Sequence, residues 1–282
     1  MEPGGDVDLF IRDQLAHIAS LALRHDGPAR RGEAEGFHQL RVASRRLRAV
    51  LDIARDCLDP AWRRDSGADA RRLARRFGAR RDADVLALTL HDQRVRDPSL
   101  DGGLAAYADL VRRRAATEAT RALESGLYRR TLVSLTEAVL RPPVVRHDSL
   151  DPLVERTRRR LVRATTALDD SPRGDLDLHR LRIAVKNARY AADALGSSRG
   201  PNFTEMANRL GQAQNALGAD HDLVVALAAA HEWYHSPAAA VGPDPREALA
   251  AWTDALSGAR TTSADGWRIP LYEVRVMLDE TH

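Results

Sequence analysis

Two stretches of this chain have the residue types and spacing to grip a polyanion. In Phe37-His38-Gln39-Leu40-Arg41-Val42-Ala43-Ser44-Arg45-Arg46-Leu47-Arg48, the side chains of His38, Arg41, Arg45 and Arg48 recur at helical intervals. At about 100° per residue they fall within roughly 80° of one another. Leu40, Ala43, Leu47, Val50, Leu51 and Ala54 take the opposite side. The spacing predicts an amphipathic helix whose polar face is a ladder of cations. Leu178-His179-Arg180-Leu181-Arg182-Ile183-Ala184-Val185-Lys186-Asn187-Ala188-Arg189 repeats it, with His179, Arg182, Lys186 and Arg189 at the four positions, each 141 residues on in a chain of 282. One Arg-rich helix reads as a solvated face. Two matching ladders, one per half, point to a shared ligand.

Arginine cannot lose its proton and grips phosphate through two N–H groups at once, so a row of arginines suits successive phosphates. His38 and His179 fall near helix N-termini, where free N–H groups also favour anions, and either can bind as a neutral donor or take up a proton. Asp52 and Asp193 follow Arg48 and Arg189 by one turn and can pair with them, so His38, Arg41, Arg45, His179, Arg182 and Lys186 are the stronger candidate contacts.

The elements that must position these ladders are helices. Asp6 to Leu23 has a helical apolar rhythm broken at Gly27-Pro28, and the first ladder helix is expected from about Glu35 to Leu58. Asp59-Pro60 has the form of an N-cap acid with Pro at the first helical position. The very basic helix that follows (Arg63, Arg64, Arg71, Arg72, Arg75, Arg76) is expected to stop at Gly78, with a fourth from Asp82 to Val95, a fifth from Asp97-Pro98 to Leu123, and a sixth from Tyr128 to Leu140 before Pro142-Pro143. In the second half, helical patterns cover 150–168, 176–195, 202–217, 222–234, 245–256 and 267–278, separated by Gly, Pro and Ser clusters. Nothing reads as a strand, so the fold class is all-α. A second correspondence, Gly78/Gly218, Asp82/Asp222 and Val85/Val225, each 140 apart, supports a duplicated chain with halves of about 1–143 and 144–282.

Composition narrows the class further. Net charge is only +3, so the location of the cations matters more than their number; all 43 basic residues but Lys186 are arginine. At 44% hydrophobic and 29% charged the chain is an ordinary globular one. Cys57 is the only cysteine, which excludes an intrachain disulfide or a thiolate metal cluster. Met1-Glu2-Pro3-Gly4-Gly5-Asp6 does not read as a signal peptide, and no apolar run is long enough to span a bilayer. A cytoplasmic protein is the expectation.

At these residues the sequence resembles the CHAD family, the conserved histidine α-helical domain. The resemblance is carried by His38-x-Leu40-Arg41-Val42-x-x-Arg45-Arg46-Leu47-Arg48, by Gly78…Arg81-Asp82-x-Asp84-Val85, and by His179-x-Leu181-Arg182-Ile183-x-x-Lys186-x-x-Arg189-Tyr190. Asn187 and Ala188 stand where the family often has Arg and Leu. The resemblance implies a single domain of two pseudo-twofold-related four-helix bundles with a basic central cleft that binds inorganic polyphosphate, without enzymatic activity and without a cofactor. It suggests association with polyphosphate granules. The candidate contacts are then His38, Arg41, Arg45, Arg46, Arg48 and Arg81 in the first half and His179, Arg182, Lys186 and Arg189 in the second. Asp82 and Asp222 are expected to cap a helix or hold a neighbouring arginine, not to ligate metal. Family members are often fused to a triphosphate-tunnel domain with a Glu-x-Glu-x-Lys signature; the nearest string here, Glu33-Ala34-Glu35-Gly36-Phe37, ends in Phe. A binding module without that catalytic domain is expected.

Two rival functions fit parts of the sequence. The ladders would also suit other polyanions such as a nucleic-acid backbone, although aromatics are 5% of the chain and only Tyr190 accompanies the cationic stripe, leaving little for base stacking. A metal-dependent phosphohydrolase would use His-Asp pairs, but His25-Asp26, His91-Asp92, His147-Asp148 and His221-Asp222 do not recur at the repeat offset. No Gly-rich phosphate loop is present.

Overall fold

The computed structural model describes residues 6–92, 98–146, 149–170, 174–199, 201–236, 245–263 and 265–280. All eleven elements among them are helices: α1 (Asp6–Arg30), α2 (Ala34–Ile53), α3 (Pro60–Asp92), α4 (Pro98–Glu124), α5 (Gly126–Leu140), α6 (Asp151–Thr165), α7 (Ala167–Asp170), α8 (Gly174–Arg199), α9 (Pro201–Tyr234), α10 (Arg246–Ser263) and α11 (Arg268–Asp279). The all-α expectation holds. Asp97 and the His147-Asp148 dipeptide lie outside the described residues.

Each helix forms where its apolar stripe has something to cover. The α2 stripe of Phe37, Leu40, Ala43, Leu47 and Val50 is buried against Phe10, Ile11, Leu15 and Ile18 of α1 and Leu73 and Phe77 of α3. Phe77 lies between Phe37 and Tyr128 of α5, with ring centroids 6.2 and 6.0 Å away. Burying each such side chain contributes about 1.5–3 kcal/mol. A second core joins Leu161 of α6, Leu181 and Val185 of α8, Leu210 and Leu217 of α9, and Leu271 and Val274 of α11. A third packs Leu86, Leu100 and Leu104 of α3 and α4 against Leu223, Trp233, Trp252 and Leu256 of α9 and α10. Helix α1 packs on α2, α2 on α3, α3 on α4 and α1 on α5; α6 packs on α8, α8 on α9, α9 on α10 and α11 on α6 in the same order. The two series meet where α2 touches α8 and α3 touches α9.

Several expected boundaries are corrected. Helix α1 runs through Gly27-Pro28, because Pro28 falls in its last turn; the stop is Gly32, at φ 81°. That left-handed conformation suits glycine, and the Gly32 N–H donates back to Ala29 O and the Glu33 N–H to Pro28 O. Helix α2 ends at Ile53, and Leu58 forms an isolated antiparallel bridge with Val144. Helix α3 does open at Pro60 as read, with the Asp59 carboxylate accepting the Trp62 N–H at 2.7 Å. It then continues through Gly78 to Asp92, and α9 continues through Gly218 to Tyr234.

Candidate functional site

With the apolar stripes of α2 and α8 committed to their cores, the opposite faces turn toward each other and toward α3 and α9. Arg45 of α2 and Lys186 of α8 line the same two cavities. The larger, 480 Å³, is lined by Arg45, Arg48 and Asp52 of α2, Arg63, Arg64 and Arg71 of α3, Arg160 of α6, and Lys186, Asn187 and Tyr190 of α8. Asp52 is its one acid. The smaller, 290 Å³, is lined by Arg45, His179, Arg182 and Lys186 together with Gln214, Asn215 and Asp222 of α9.

These cations crowd one another. Among the described residues, Arg45, Arg48, Arg71, Arg182 and Lys186 make no ion pair with a carboxylate. Lys186 is pushed down to about 8, first by burial and then by the charges of Arg45, Arg182, Arg41 and Arg48. Arg48 is lowered by burial and by Arg71, Arg45 and Arg75; Arg182 is lowered by burial, with Asp222 opposing and Arg45 adding. Burial lowers His38, and Arg81, Arg41 and Arg45 press it further, against Glu35. Its Nδ1 is buried without a hydrogen-bond partner. His179 and His221 bring their rings within 6.0 Å, and burial with Arg182 and His179 lowers His221. Half-buried like charges without counterions are unfavourable in a free protein. A polyanion would relieve them.

Not every predicted contact joins the cavities. Arg41, whose side chain is 15% exposed, reaches Asp82 of α3 at 3.3 Å. Asp82 therefore holds an arginine and, being mid-helix, caps nothing. Arg46 turns away from the ladder face: Nη2 meets Asp193 of α8 at 2.9 Å and Nη1 meets His17 Nε2 of α1 at 2.5 Å. Arg189 lies over the Tyr190 ring at 6.0 Å and beside Gly211 of α9. Arg81 of α3 acts electrostatically on both His38 and Asp222 and lines neither cavity.

The Arg48–Asp52 and Arg189–Asp193 pairs that the spacing allows do not form. Asp52 pairs instead with Arg160 of α6, and Asp193 with Arg46. The physical reason is packing: α6 brings the more buried Arg160, 22% exposed, against Asp52, while Arg48 stays among the arginines of the cavity it lines. Arg63, Arg64, Arg71 and Arg160 are cavity residues that the ladder pattern did not single out. For Arg64 and Arg71 a signal existed in the Arg64, Ala68, Arg71, Arg75 spacing of one helix face. For Arg160, within the run Arg158-Arg159-Arg160, none did.

Among the described residues, no group of three or more His, Cys, Asp or Glu side chains gathers as a metal site requires, and no helix is long and apolar enough to cross a membrane.

Comparison with known proteins adds the following. The family model for the CHAD domain matches residues 12–231. Two uncharacterized proteins of Mycobacterium tuberculosis, MT2285 of strain CDC 1551 / Oshkosh and Rv2226 of strain H37Rv, are each 29% identical over 249 residues, covering 79% of this chain and 44% of theirs. The chain thus spans less than half the length of these curated relatives. The crystal structure of the CHAD domain from the plant Ricinus communis superposes with a TM-score of 0.72 at 23% identity, covering 96% of this chain and 93% of that one. PptA from Streptomyces chartreusis superposes at 0.67 with 20% identity, covering 99% of both chains. Those two likenesses concern the fold.

Proposed function

This chain belongs to the CHAD domain family, and from that premise we propose that it binds inorganic polyphosphate in a basic cleft without cleaving it. The observation that carries the reading is the sharing of Arg45 and Lys186 by two cavities. One cation from each ladder stands at a junction where the approach of α2 and α8 brings like charges together, and among the described residues neither cation makes an ion pair with a carboxylate.

A linear polyphosphate carries about one charge per phosphate and presents no bases or side groups, so recognition rests on charge and spacing alone. In this reading the two cavities are segments of one cleft, and the chain passes Arg182, Lys186, Arg45 and Arg48 in turn. Each charge-assisted bond contributes about 1.5–3 kcal/mol before desolvation. Relief of the repulsion already present around Lys186 adds to this. Residues 1–143 and 144–282 act as two copies of one helical unit, and the parallel order of helix contacts in them supports it. The protein works as a cytoplasmic binding module whose ligand directs it to polyphosphate granules.

Calorimetric titration with polyphosphates of graded length, beside ATP and pyrophosphate, tests the proposal. Affinity should rise with length until the cleft is filled. Arg45→Ala with Lys186→Ala should weaken the longest chain by about a hundredfold or more, the loss of two such bonds, while the helical circular dichroism is retained. Equal binding by that variant and the parent would remove the cleft from consideration.

A further inference from the structure

The cleft is lopsided. Helix α3 packs on α2 as α9 packs on α8, and the two pairs stand about 140 residues apart in the chain. The two flanking helices nevertheless differ in charge. Where α3 lines the larger cavity with Arg63, Arg64 and Arg71, the residues 140 positions on in α9 are Phe203, Thr204 and Gly211. Helix α6 adds Arg160 at the same end, where it pairs with Asp52, so the excess rests on the α3 arginines. At the other end, α9 offers the amides of Gln214 and Asn215 and the carboxylate of Asp222. The excess of cations over the ladder thus collects beyond Arg48, at one end only.

A ligand of uniform charge gives no reason for such a gradient. Polyphosphate is uniform except at its termini, where the last phosphate has a second ionisable oxygen; a phosphate monoester loses that proton near pH 6, so the terminal group carries about two charges at neutral pH. We infer that the larger cavity is a subsite for the doubly ionised terminal phosphate, and that the protein captures polyphosphate by its ends, with the body of the chain leading past Arg45 and Lys186 toward Arg182. This rests on the polyphosphate reading above.

The test counts protein molecules per chain on narrow size fractions of polyphosphate, by sedimentation velocity with protein in excess. End capture predicts a ceiling of two proteins per chain at every length. Converting both termini to singly charged phosphoramidates with a small amine should lower affinity roughly tenfold or more, about one charge-assisted contact. In Arg64→Gln with Arg71→Gln, capped and free chains should bind alike. Linear tripolyphosphate should also compete better than cyclic trimetaphosphate, which has three phosphates and no terminus. Occupancy that climbs in proportion to length, with no effect of capping, would overturn end capture and leave polyphosphate binding standing. Absence of binding to any fraction would overturn both.

Discussion

The guanidinium of Arg41 occupies the space that a side chain at Gly78 would fill: a Cβ built on Gly78 would collide with Nη1 of Arg41. The glycine that looks like a helix break in sequence is a seat for a ladder arginine, and the same residue lets α3 run on to Asp82, which holds that arginine from the next turn. Gly78→Ala should therefore move Arg41 without opening the fold. Alanine is favoured over glycine inside a helix by about 1 kcal/mol, and the clash falls on the mobile end of a side chain. Thermal stability should be unchanged or slightly raised, and polyphosphate affinity should stay within about twofold of the parent, since Arg41 lines neither cavity. A variant that melts normally and binds roughly tenfold more weakly would show that Arg41 reaches the ligand.

Arg46 provides the opposite case. It belongs to the same sequence motif as Arg45, yet it bridges Asp193 of α8 and His17 of α1. His17 is lowered by burial and then by Arg46, against Asp193, so the neutral imidazole accepts from the guanidinium. Arg46→Ala should cost about 1 kcal/mol, the scale of a partly exposed pair, and lower the melting temperature by about 2–4 °C. Polyphosphate affinity should stay within about twofold of the parent. A loss matching that of Arg45→Ala would place Arg46 in the cleft after all.

Much of this could be read from residue order because it depends on local periodicity. The ladders, the Asp59-Pro60 start and the α5 helix ending before Pro142-Pro143 are each decided within a few turns of chain. What could not be read depends on neighbours distant in sequence. Whether Gly78 breaks a helix is decided by Arg41, and which arginine Asp52 takes is decided by the packing of α6 on α2. The partner of Asp193 comes from the other half of the chain. Nothing in the structure explains Gly218, which has open space around its Cβ position.

Salt provides a direct count of the contacts. Eight cationic side chains line the two cavities: Arg45, Arg48, Arg63, Arg64, Arg71, Arg160, Arg182 and Lys186. With a coefficient of about 0.7 per contact, as for single-stranded nucleic acid, log affinity should fall against log salt with a slope of about −5 to −6. Fluorescence titrations across a range of chloride concentrations check this, and a slope near −1 would put the ligand elsewhere. In the same assay long-chain polyphosphate should displace RNA and DNA and not be displaced by them, since the cleft has Tyr190 as its single aromatic residue for stacking.

Lys186 should make binding depend on pH in the alkaline range. In the free protein, burial and four neighbouring arginines hold it at about 8, below its ordinary 10.5. A phosphate placed against it favours the ammonium form and raises it again, so above about pH 8 binding takes up a proton. Affinity should be level below about pH 7 and weaken as pH climbs through 8, until the bound-state value is passed. His38 and His221, both lowered from 6.5 by burial, are neutral in this window in the free protein. The sign for folding is the reverse. Between about 8 and 10.5 the unfolded chain binds more protons at this site than the native one, so the unliganded protein should gain stability over that interval. Lys186→Arg, which cannot deprotonate, should bind with an affinity flat from about pH 7 to about pH 9.5 and should lose the alkaline gain in stability. Calorimetry in buffers of different ionisation enthalpy measures the proton taken up. If the parent shows none near pH 9, Lys186 does not face the ligand.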